Sequence, residues 1–193
     1  MINSKEDYIE YLESDKKALG LDNNLLISKI KNYLFPDPIW KFQKLLRKLE
    51  YFNNCKNKGL NKFYYYYLKY RFRNLSIKLG FSIPINVFGP GLAIVHYGTI
   101  IVNRNTKVGR NCRIHACTNI GASGGSLEAP QIGDNVYIAP GAKIYGNITI
   151  ANNIAIGANS VVNKSFYEES MMIAGNPANE IKKIDIKKII KHA

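Results

Sequence analysis

The chain has 193 residues, of which 46% are hydrophobic, and a formal net charge of +13. This length suits one core with an appended segment, and the composition excludes a largely disordered chain. No run of about eighteen apolar residues occurs and the charged N-terminal stretch lacks the apolar core of a signal peptide, so we expect a cytoplasmic protein without a membrane span.

Residues 1–80 are predicted to form a helical segment. Apolar residues recur at helical spacing, Ser4 and Asp7 resemble a capping box, and Gly80 is a suitable residue to end the last helix. Prolines after Phe35 interrupt the first part, since each removes a backbone donor. The predicted helical stretches run from Ser4 to about Leu34, from Ile39 to about Cys55, and from a turn at Asn57–Gly59 to about Leu79.

The positive charge is concentrated in this helical segment. Residues 1–80 contain 16 Lys and Arg against 8 Asp and Glu, and basic residues alternate with aromatic ones in KFYYYYLKYRFRNLSIKLG. Two interpretations remain open: a solvated face whose tyrosines pack on the rest of the protein, or peripheral contact with the anionic inner face of a membrane. No nucleic-acid-binding motif accompanies the charge, so nucleic acid is not an expected partner.

From Val102 to Val162 an aliphatic residue returns at every sixth position, with one interruption. These anchors are Val102, Val108, Ile114, Ile120, Ile132, Ile138, Ile144, Ile150, Ile156 and Val162. A mostly small or β-branched residue follows four positions later, and turn-forming Asn, Asp, Gly or Pro residues often lie between. No helix has this period. The pattern is typical of a parallel β-helix, whose coils stack their anchors into one aliphatic interior.

The break in the six-residue pattern and the C-terminal residues are the last two parts of the predicted organisation. Residues 122–131 lack anchors, contain Gly124-Gly125 and are predicted to leave the coil as a loop. We therefore divide the chain into a basic, aromatic-rich helical segment (1–80), a β-helix (81–184) and a basic amphipathic tail (185–193). The tail region predicts a short helix with one apolar face, formed by Ile181, Ile184, Ile189 and Ile190.

Five motifs, GLAIVHYGTIIVN, CTNIGASGG, APGAKIYGN, AIGANSVVNKS and AGNPAN, resemble the hexapeptide-repeat acyltransferases. Within that superfamily the sequence is most similar to serine acetyltransferases and related polysaccharide O-acetyltransferases, over roughly Ile83 to Ile184. The resemblance implies a mainly β fold, a left-handed parallel β-helix with three hexads per turn. It also implies acetyl-CoA as acyl donor and a homotrimer with active sites between subunits.

Transfer of an acetyl group to a hydroxyl needs a base that works near neutral pH, and histidine suits that task. His96 is the histidine that matches the catalytic base in the family resemblance, whereas spacing alone would equally allow a structural hydrogen-bonding role. His115, Asn86 and Glu128 are candidate helpers, with Glu128 acting across a subunit interface. His192 is expected to be exposed and without a role.

The same resemblance places coenzyme A along the coils, where small residues give access to the backbone. The candidate cofactor-binding residues are Gly121, Ala122, Ala142, Ser160, Asn163, Lys164, Gly175, Pro177 and Lys182. Asn179 stands where family members usually carry Arg or Lys, which predicts the loss of one phosphate contact. The three cysteines and three histidines show no metal-ligand spacing, so no metal is expected and the cysteines are expected to be reduced.

Three departures from the serine acetyltransferase pattern bear on the acceptor. Val95 replaces an aspartate, Asn86 loosely matches another, and the loop reads Leu127-Glu128-Ala129-Pro130 where the family has a second histidine. We therefore predict an O-acetyltransferase acting on a sugar hydroxyl of a capsular, extracellular or other cell-envelope glycan. L-Serine as acceptor is one alternative, and a non-catalytic β-helical binding scaffold is the other.

Overall fold

The computed structural model describes residues 1–21 and 37–193, so part of the first predicted helical stretch lies outside the described residues. Helix α1 spans Lys5–Ala18 and begins at Ser4, whose hydroxyl accepts a hydrogen bond from the Asp7 N–H at 3.0 Å. The Asp7 carboxylate accepts one from the Asn3 N–H at 2.8 Å. Two otherwise unpaired backbone donors are thereby satisfied at the start of the helix.

Two longer helices follow, and both match the predicted stretches. Helix α2 spans Pro38–Cys55 and is capped by Asp37, whose carboxylate accepts from the Ile39 N–H at 2.7 Å. Helix α3 spans Asn61–Leu79 and ends at Gly80 in the left-handed conformation, with φ 77°. The two helices pack against each other and against the first strand through aromatic rings: Phe42 stacks on Phe72 and meets Phe81 edge to face.

The rest of the chain winds through three parallel faces, visiting face A, then B, then C in each coil. Face A contains β1 (Phe81–Ser82), β3 (Ile100–Val102), β6 (Thr118–Gly121), β9 (Lys143–Tyr145) and β12 (Val161–Val162). Face B contains β4 (Lys107–Val108), β7 (Gln131–Ile132) and β10 (Thr149–Ile150). Face C contains β2 (Ala93–Ile94), β5 (Arg113–Ile114), β8 (Tyr137–Ile138), β11 (Ala155–Ile156), β13 (Met171–Gly175) and β14 (Ala178–Lys183).

The predicted anchors form the interior of these coils. All ten are at most 5% exposed, and on face C the register aligns Ile94, Ile114, Ile138, Ile156 and Ile173 in one column. The smaller residues four positions after the anchors are also buried, namely Thr106, Cys112, Thr118, Val136, Ala142, Ile148, Ile154 and Ser160. The six-residue period therefore reports side chains that point inward, and the predicted β-helix is confirmed.

The corner between faces B and C is stabilised by a ladder of asparagines. Asn111, Asn135 and Asn153 all adopt positive φ, between 55° and 59°, which few residues other than Gly, Asn and Asp tolerate. Their side-chain amides hydrogen-bond from one coil to the next, each at 2.9 Å. Turn geometry and coil-to-coil cohesion are thus supplied by the same residue type.

A buried ion-pair network joins the helical segment to the first coil, and sequence analysis missed it. Arg47 on α2 is fully buried and contacts Asp15 at 2.8 Å and Glu50 at 3.0 Å. Its guanidinium also donates to the carbonyls of Phe88 and Gly89. Burial alone would lower the pKa of Arg47, but the ion pairs with Asp15 and Glu50 raise it above its ordinary value.

The C-terminal region departs in part from its prediction. Ala178–Lys183 forms strand β14, antiparallel to β13, and leaves Ile181 57% exposed rather than on the apolar face of a helix. The open edge of β13 offers backbone partners that an isolated helix would lack. A short 3₁₀ turn, Ile186–Lys188, follows, and Ile186 packs with Ile190 on Ala155 of face C. Within residues 1–21 and 37–193, no helix is long and apolar enough to cross a membrane.

Candidate active site

Two histidines meet at the corner where face C of one coil leads into face A of the next. His96 lies two residues after β2, and His115 directly follows β5 in the coil above. Their ring centroids are 6.0 Å apart, with the rings inclined by 58°. His96 is exposed and His115 is half-buried. The corner therefore presents one accessible imidazole backed by a second.

The position of both histidines is fixed by the coil ladder. The Val95 N–H donates to the carbonyl of Ile114 at 3.0 Å, and the His115 N–H donates to the carbonyl of Ile138 at 3.1 Å. Because each backbone segment is bonded to the next coil, the histidines are carried on a rigid part of the fold. Val95, where the family pattern has an aspartate, has an aliphatic side chain that cannot hydrogen-bond to an imidazole.

The surroundings of His115 favour its neutral form. Its ring packs edge-on against Tyr137, with centroids 5.2 Å apart, and its Nε2 is enclosed without a hydrogen-bond partner among the described residues. Burial, followed by the charges of Arg113 and His96, lowers the pKa of His115 below its ordinary value. The unpartnered Nε2 is closed off from solvent, so His115 backs the corner with an uncharged ring rather than offering this nitrogen to a ligand.

The other two predicted helpers lie at a different corner of the same chain. Asn86 follows face A of the first coil, and its side chain exchanges hydrogen bonds with Asn54 at 2.9 and 3.0 Å. Its N–H donates to Glu50 at 2.8 Å. Glu128 is in the loop between β6 and β7, where its carboxylate accepts from Asn147 at 2.6 Å. The contacts of both residues are therefore with groups other than His96.

The two segments predicted to hold the adenosine end of coenzyme A contact each other. The Lys164 ammonium donates to the side-chain carbonyl of Asn179 at 2.7 Å, and the Asn179 amide donates to the Pro177 carbonyl at 3.3 Å. Gly175 has φ 110° and precedes a cis Asn176–Pro177 bond. Asn163 and Lys182 are exposed near these residues in sequence. The Lys164 ammonium and the backbone around Pro177 therefore lie close together at the last coil, where the adenosine end of the cofactor was predicted.

Two of the predicted cofactor-binding residues require correction. Ala142 and Ser160 are both 0% exposed, because the fourth position after an anchor points into the coil. The Ser160 hydroxyl accepts a hydrogen bond from the Gly175 N–H at 3.2 Å, so it stabilises the turn rather than facing a ligand. Gly121 and Ala122 are partly exposed where β6 enters the loop, which leaves their backbone accessible.

His192 is also placed differently from its prediction. It is half-buried, and its Nε2 is enclosed without a partner in the described part of the chain. Burial, then the charges of Lys17 and Arg113, lowers the pKa of His192 below its ordinary value. The tail therefore returns across face C to the neighbourhood of helix α1, which its position near the C-terminus did not indicate.

Tyr137 is a further residue of the corner, and its position one residue before the anchor Ile138 indicates that it lies on the outside of face C. Arg113 and Tyr137 are register partners that directly precede their anchors, so their side chains stack on the outside of face C beside His115. No group of three His, Cys, Asp or Glu side chains within residues 1–21 and 37–193 is arranged to hold a metal ion. Burial raises the pKa of the Cys112 thiol to about 12, which leaves it an inert core residue.

The fold agrees with comparisons to known proteins. Residues 129–164 match the family model described as bacterial transferase hexapeptide (six repeats). The structure of Neisseria gonorrhoeae serine acetyltransferase has a TM-score of 0.70 at 23% identity, covering 98% of this chain and 72% of that one. Brucella melitensis serine O-acetyltransferase gives 0.70 at 26% identity, with 93% and 71% covered. The chain therefore has the left-handed β-helix fold of hexapeptide-repeat acyltransferases.

Curated sequences refine the resemblance. The serine acetyltransferase of Staphylococcus xylosus is 40% identical over 96 residues, which are 49% of this chain and 44% of that protein. The serine acetyltransferase of Staphylococcus aureus strain N315 is 38% identical over 96 residues, covering 49% and 45%. The matched segment spans a little under half of these relatives. The predicted similarity to serine acetyltransferases within the superfamily is confirmed.

Proposed function

We propose that the protein is an acetyl-CoA-dependent O-acetyltransferase with His96 as general base and L-serine as the leading acceptor. The observation that carries this proposal is the accessible His96 imidazole, held on the coil ladder 6.0 Å from a second imidazole. Support for the substrates comes from similar structures described as serine acetyltransferase in complex with CoA and, for the Neisseria gonorrhoeae protein, with serine.

The reaction needs one proton acceptor and one proton donor, and a single imidazole can serve as both. Neutral His96 removes the proton of the acceptor hydroxyl as its oxygen attacks the thioester carbonyl. Collapse of the tetrahedral intermediate breaks the carbon–sulfur bond and releases the coenzyme A thiolate. The thiolate recovers the proton from the imidazolium, so the base is regenerated and the charge balances. The His115 ring lies beside His96 and forms the wall of the corner against which the acceptor would bind.

The outside of face C offers a path for the pantetheine arm. In the column that contains Val95 and His115, the next coils carry Ala139 and Gly157, since the backbone ladder continues from Ala139 to Ile156. Ala139 is 6% exposed, and the Ala174 side chain lies 2.8 Å from where a Cβ of Gly157 would be, so this column presents a close-packed surface of small residues along which an extended arm could lie. At the last coil, Lys164 and Lys182 supply positive charge for phosphates. The Asn179 side-chain carbonyl accepts a hydrogen bond from the Lys164 ammonium, and Asn179 itself carries no positive charge.

We also propose a homotrimer, as in the family resemblance. The loop formed by residues 122–130 projects from the coil and exposes 81% of Leu127, and Ile101 on face A is 42% exposed. Burial of this surface between subunits would bring the loop, with Glu128, toward the histidine corner of a neighbour. Sedimentation equilibrium should give three times the chain mass, and a monomer at assay concentrations would contradict the proposed assembly.

A glycan hydroxyl remains the second candidate acceptor. Val95 and the loop sequence around Glu128 lack the aspartate and histidine of the serine acetyltransferase pattern, and these positions are expected to contact serine or tune the base. The named relatives nevertheless favour serine over the glycan that sequence analysis placed first.

The test is thiol release from acetyl-CoA with L-serine, simple sugars and cell-envelope oligosaccharides as acceptors. We expect turnover with L-serine, and a fall in kcat of about 10²–10⁴-fold for His96→Asn. His192→Asn is the matched control, since it removes a half-buried histidine outside the corner, and it should retain activity. Turnover confined to sugars would replace serine by the glycan. No turnover with any acceptor would favour the binding scaffold.

A further inference from the structure

We infer that helices α2 and α3 form a surface that docks on an anionic lipid bilayer. Residues 38–79 contain eleven Lys and Arg and one acidic residue, Glu50, a net charge of +10 out of +13 for the whole chain. Glu50 is buried against Arg47, so the other ten basic residues face solvent or lie near it without an outward-facing acid in the segment. This inference is independent of the proposed acetyl transfer.

Helix α3 has two apolar stripes on opposite sides. The inner stripe packs on α2 and the first coil, and consists of Tyr65, Leu68, Phe72, Leu75 and Leu79. The outer stripe is exposed, at 78% for Phe63, 54% for Tyr66, 52% for Tyr67, 65% for Tyr70 and 69% for Ile77. At 3.6 residues per turn the outer stripe occupies about 100° of the helix surface, as expected of a face that contacts an apolar phase.

Basic residues flank the outer stripe along its whole length. On helical spacing, Lys62, Lys69 and Arg73 lie on one side, and Arg71 and Lys78 on the other. Tyrosine and phenylalanine favour the boundary between water and lipid, where the ring is buried and a hydroxyl remains hydrated. Lysine and arginine extend to reach anionic headgroups while their alkyl stems cover apolar surface. The arrangement matches an interfacial helix that lies in the membrane plane.

A groove continues this surface toward the β-helix. Its volume is about 600 Å³, and it is lined by Lys69, Arg73 and Ile77 of α3 and by residues 81–84 of the first coil. The lining is mainly apolar and two cations stand at its rim. An acyl chain could therefore enter beside α3 while its phosphate is held by Lys69 and Arg73.

Two other partners for this surface, a second copy of the chain and a nucleic acid, fit its charge and apolar stripe less well than a bilayer does. A second copy of the chain would bring a +10 surface against an equal one, which costs free energy rather than stabilising a contact. A nucleic acid would satisfy the charge, but the outer stripe is aligned with a helix axis and includes aliphatic Ile77, which offers no ring for base stacking. A bilayer satisfies both the apolar stripe and its basic flanks.

The test is cosedimentation of the full chain with phosphatidylcholine vesicles, with and without phosphatidylglycerol. We expect binding only to the anionic vesicles, weakened by salt. Lys69→Glu/Arg73→Glu should lower the partition coefficient at least about tenfold, since each basic residue near the surface contributes substantially to binding. Lys187→Glu/Lys188→Glu is the matched control because both pairs lower the net charge from +13 to +9, and both pairs are exposed.

A second pair of variants tests the apolar stripe. Tyr66→Ser/Tyr70→Ser should weaken binding several-fold, whereas Tyr167→Ser/Ile181→Ser, which removes comparably exposed side chains elsewhere, should not. Equal losses for the stripe and control variants, or no binding to anionic vesicles at low salt, would overturn the inference. So would stripe variants that alter the oligomeric state, or polyuridylate binding that depends on the stripe as vesicle binding does. No outcome relies on acetyl transfer, so failure here leaves the proposed function intact.

Discussion

The β-helix and the helical segment are stabilised by different interactions. The interior of the coils is an aliphatic ladder in which each anchor contacts the anchors above and below, with thirty buried residues in one core cluster that also includes Phe42 and Leu46 of α2. The helical segment shares the lower end of this core through apolar contacts such as Phe42 on Phe81, and in addition it is joined to the first coil by one buried ion-pair network around Arg47. A repeated core spreads its free energy over many equivalent contacts, whereas a single ion-pair network depends on every member.

Removal of the central cation is the largest expected disruption. Arg47→Met should lower the free energy of unfolding by about 3–5 kcal/mol, because Asp15 and Glu50 remain buried without their partner. Arg110→Met is the control, since the Arg110–Glu10 pair has the same length of 2.8 Å but is about half exposed. That variant should cost less than about 1 kcal/mol. Equal losses in urea unfolding would show that the Arg47 network is not the critical contact.

Loss of one anchor should cost slightly less. Ile138→Ala in the middle of the face C column should lower the free energy of unfolding by about 2–5 kcal/mol, through lost burial and a cavity. Ile181→Ala, on an exposed position of β14, should change it by about 0.5 kcal/mol or less. A small effect of Ile138→Ala would mean that neighbouring coils collapse into the space.

The smallest predicted effect is the pH dependence of stability, which arises from His115 on the β-helix and His192 in the C-terminal tail. Burial lowers the pKa of His115 and His192, so the folded protein binds fewer protons than the unfolded chain as pH falls through the ordinary value of 6.5. Stability should therefore decrease from pH 7.5 to pH 5.5. His115→Gln/His192→Gln should reduce this slope, as measured by urea midpoints. An unchanged slope would contradict the assigned burial.

The two regions also differed in how far sequence predicted them. The hexads predicted the anchors, because a period-six aliphatic pattern has one structural cause and each repeat confirms the next. The helix end at Gly80 followed from local capping, whereas the Asp37 cap of α2 is seen only in the structure. The Arg47 network could not be predicted, since its partners Asp15 and Glu50 lie 32 and 3 residues away and look like ordinary surface charges in the sequence.

The candidate site was predicted from the family resemblance, and backbone register decides which of its residues lie together in one chain. His96 and His115 share a corner because the register of β2 with β5 places His115 above Val95, next to His96. Asn86 was chosen because it loosely matches a family aspartate, and the structure places it at a different corner, bonded to Asn54. Glu128 was proposed to act across a subunit interface, and within one chain it bonds Asn147. Ala142 and Ser160 were selected for small size, although the same hexad pattern places them inside the coil. The burial of His192 depends on the tail folding back toward Lys17 and Arg113, which no local pattern contains.

A crystal structure with coenzyme A and L-serine tests the central claim most directly, because it locates both reacting groups relative to His96. We predict the coenzyme sulfur at the corner between faces C and A, with the serine hydroxyl within about 3.2 Å of the His96 imidazole. A coenzyme sulfur bound on another face, or a serine hydroxyl remote from His96, would contradict the account.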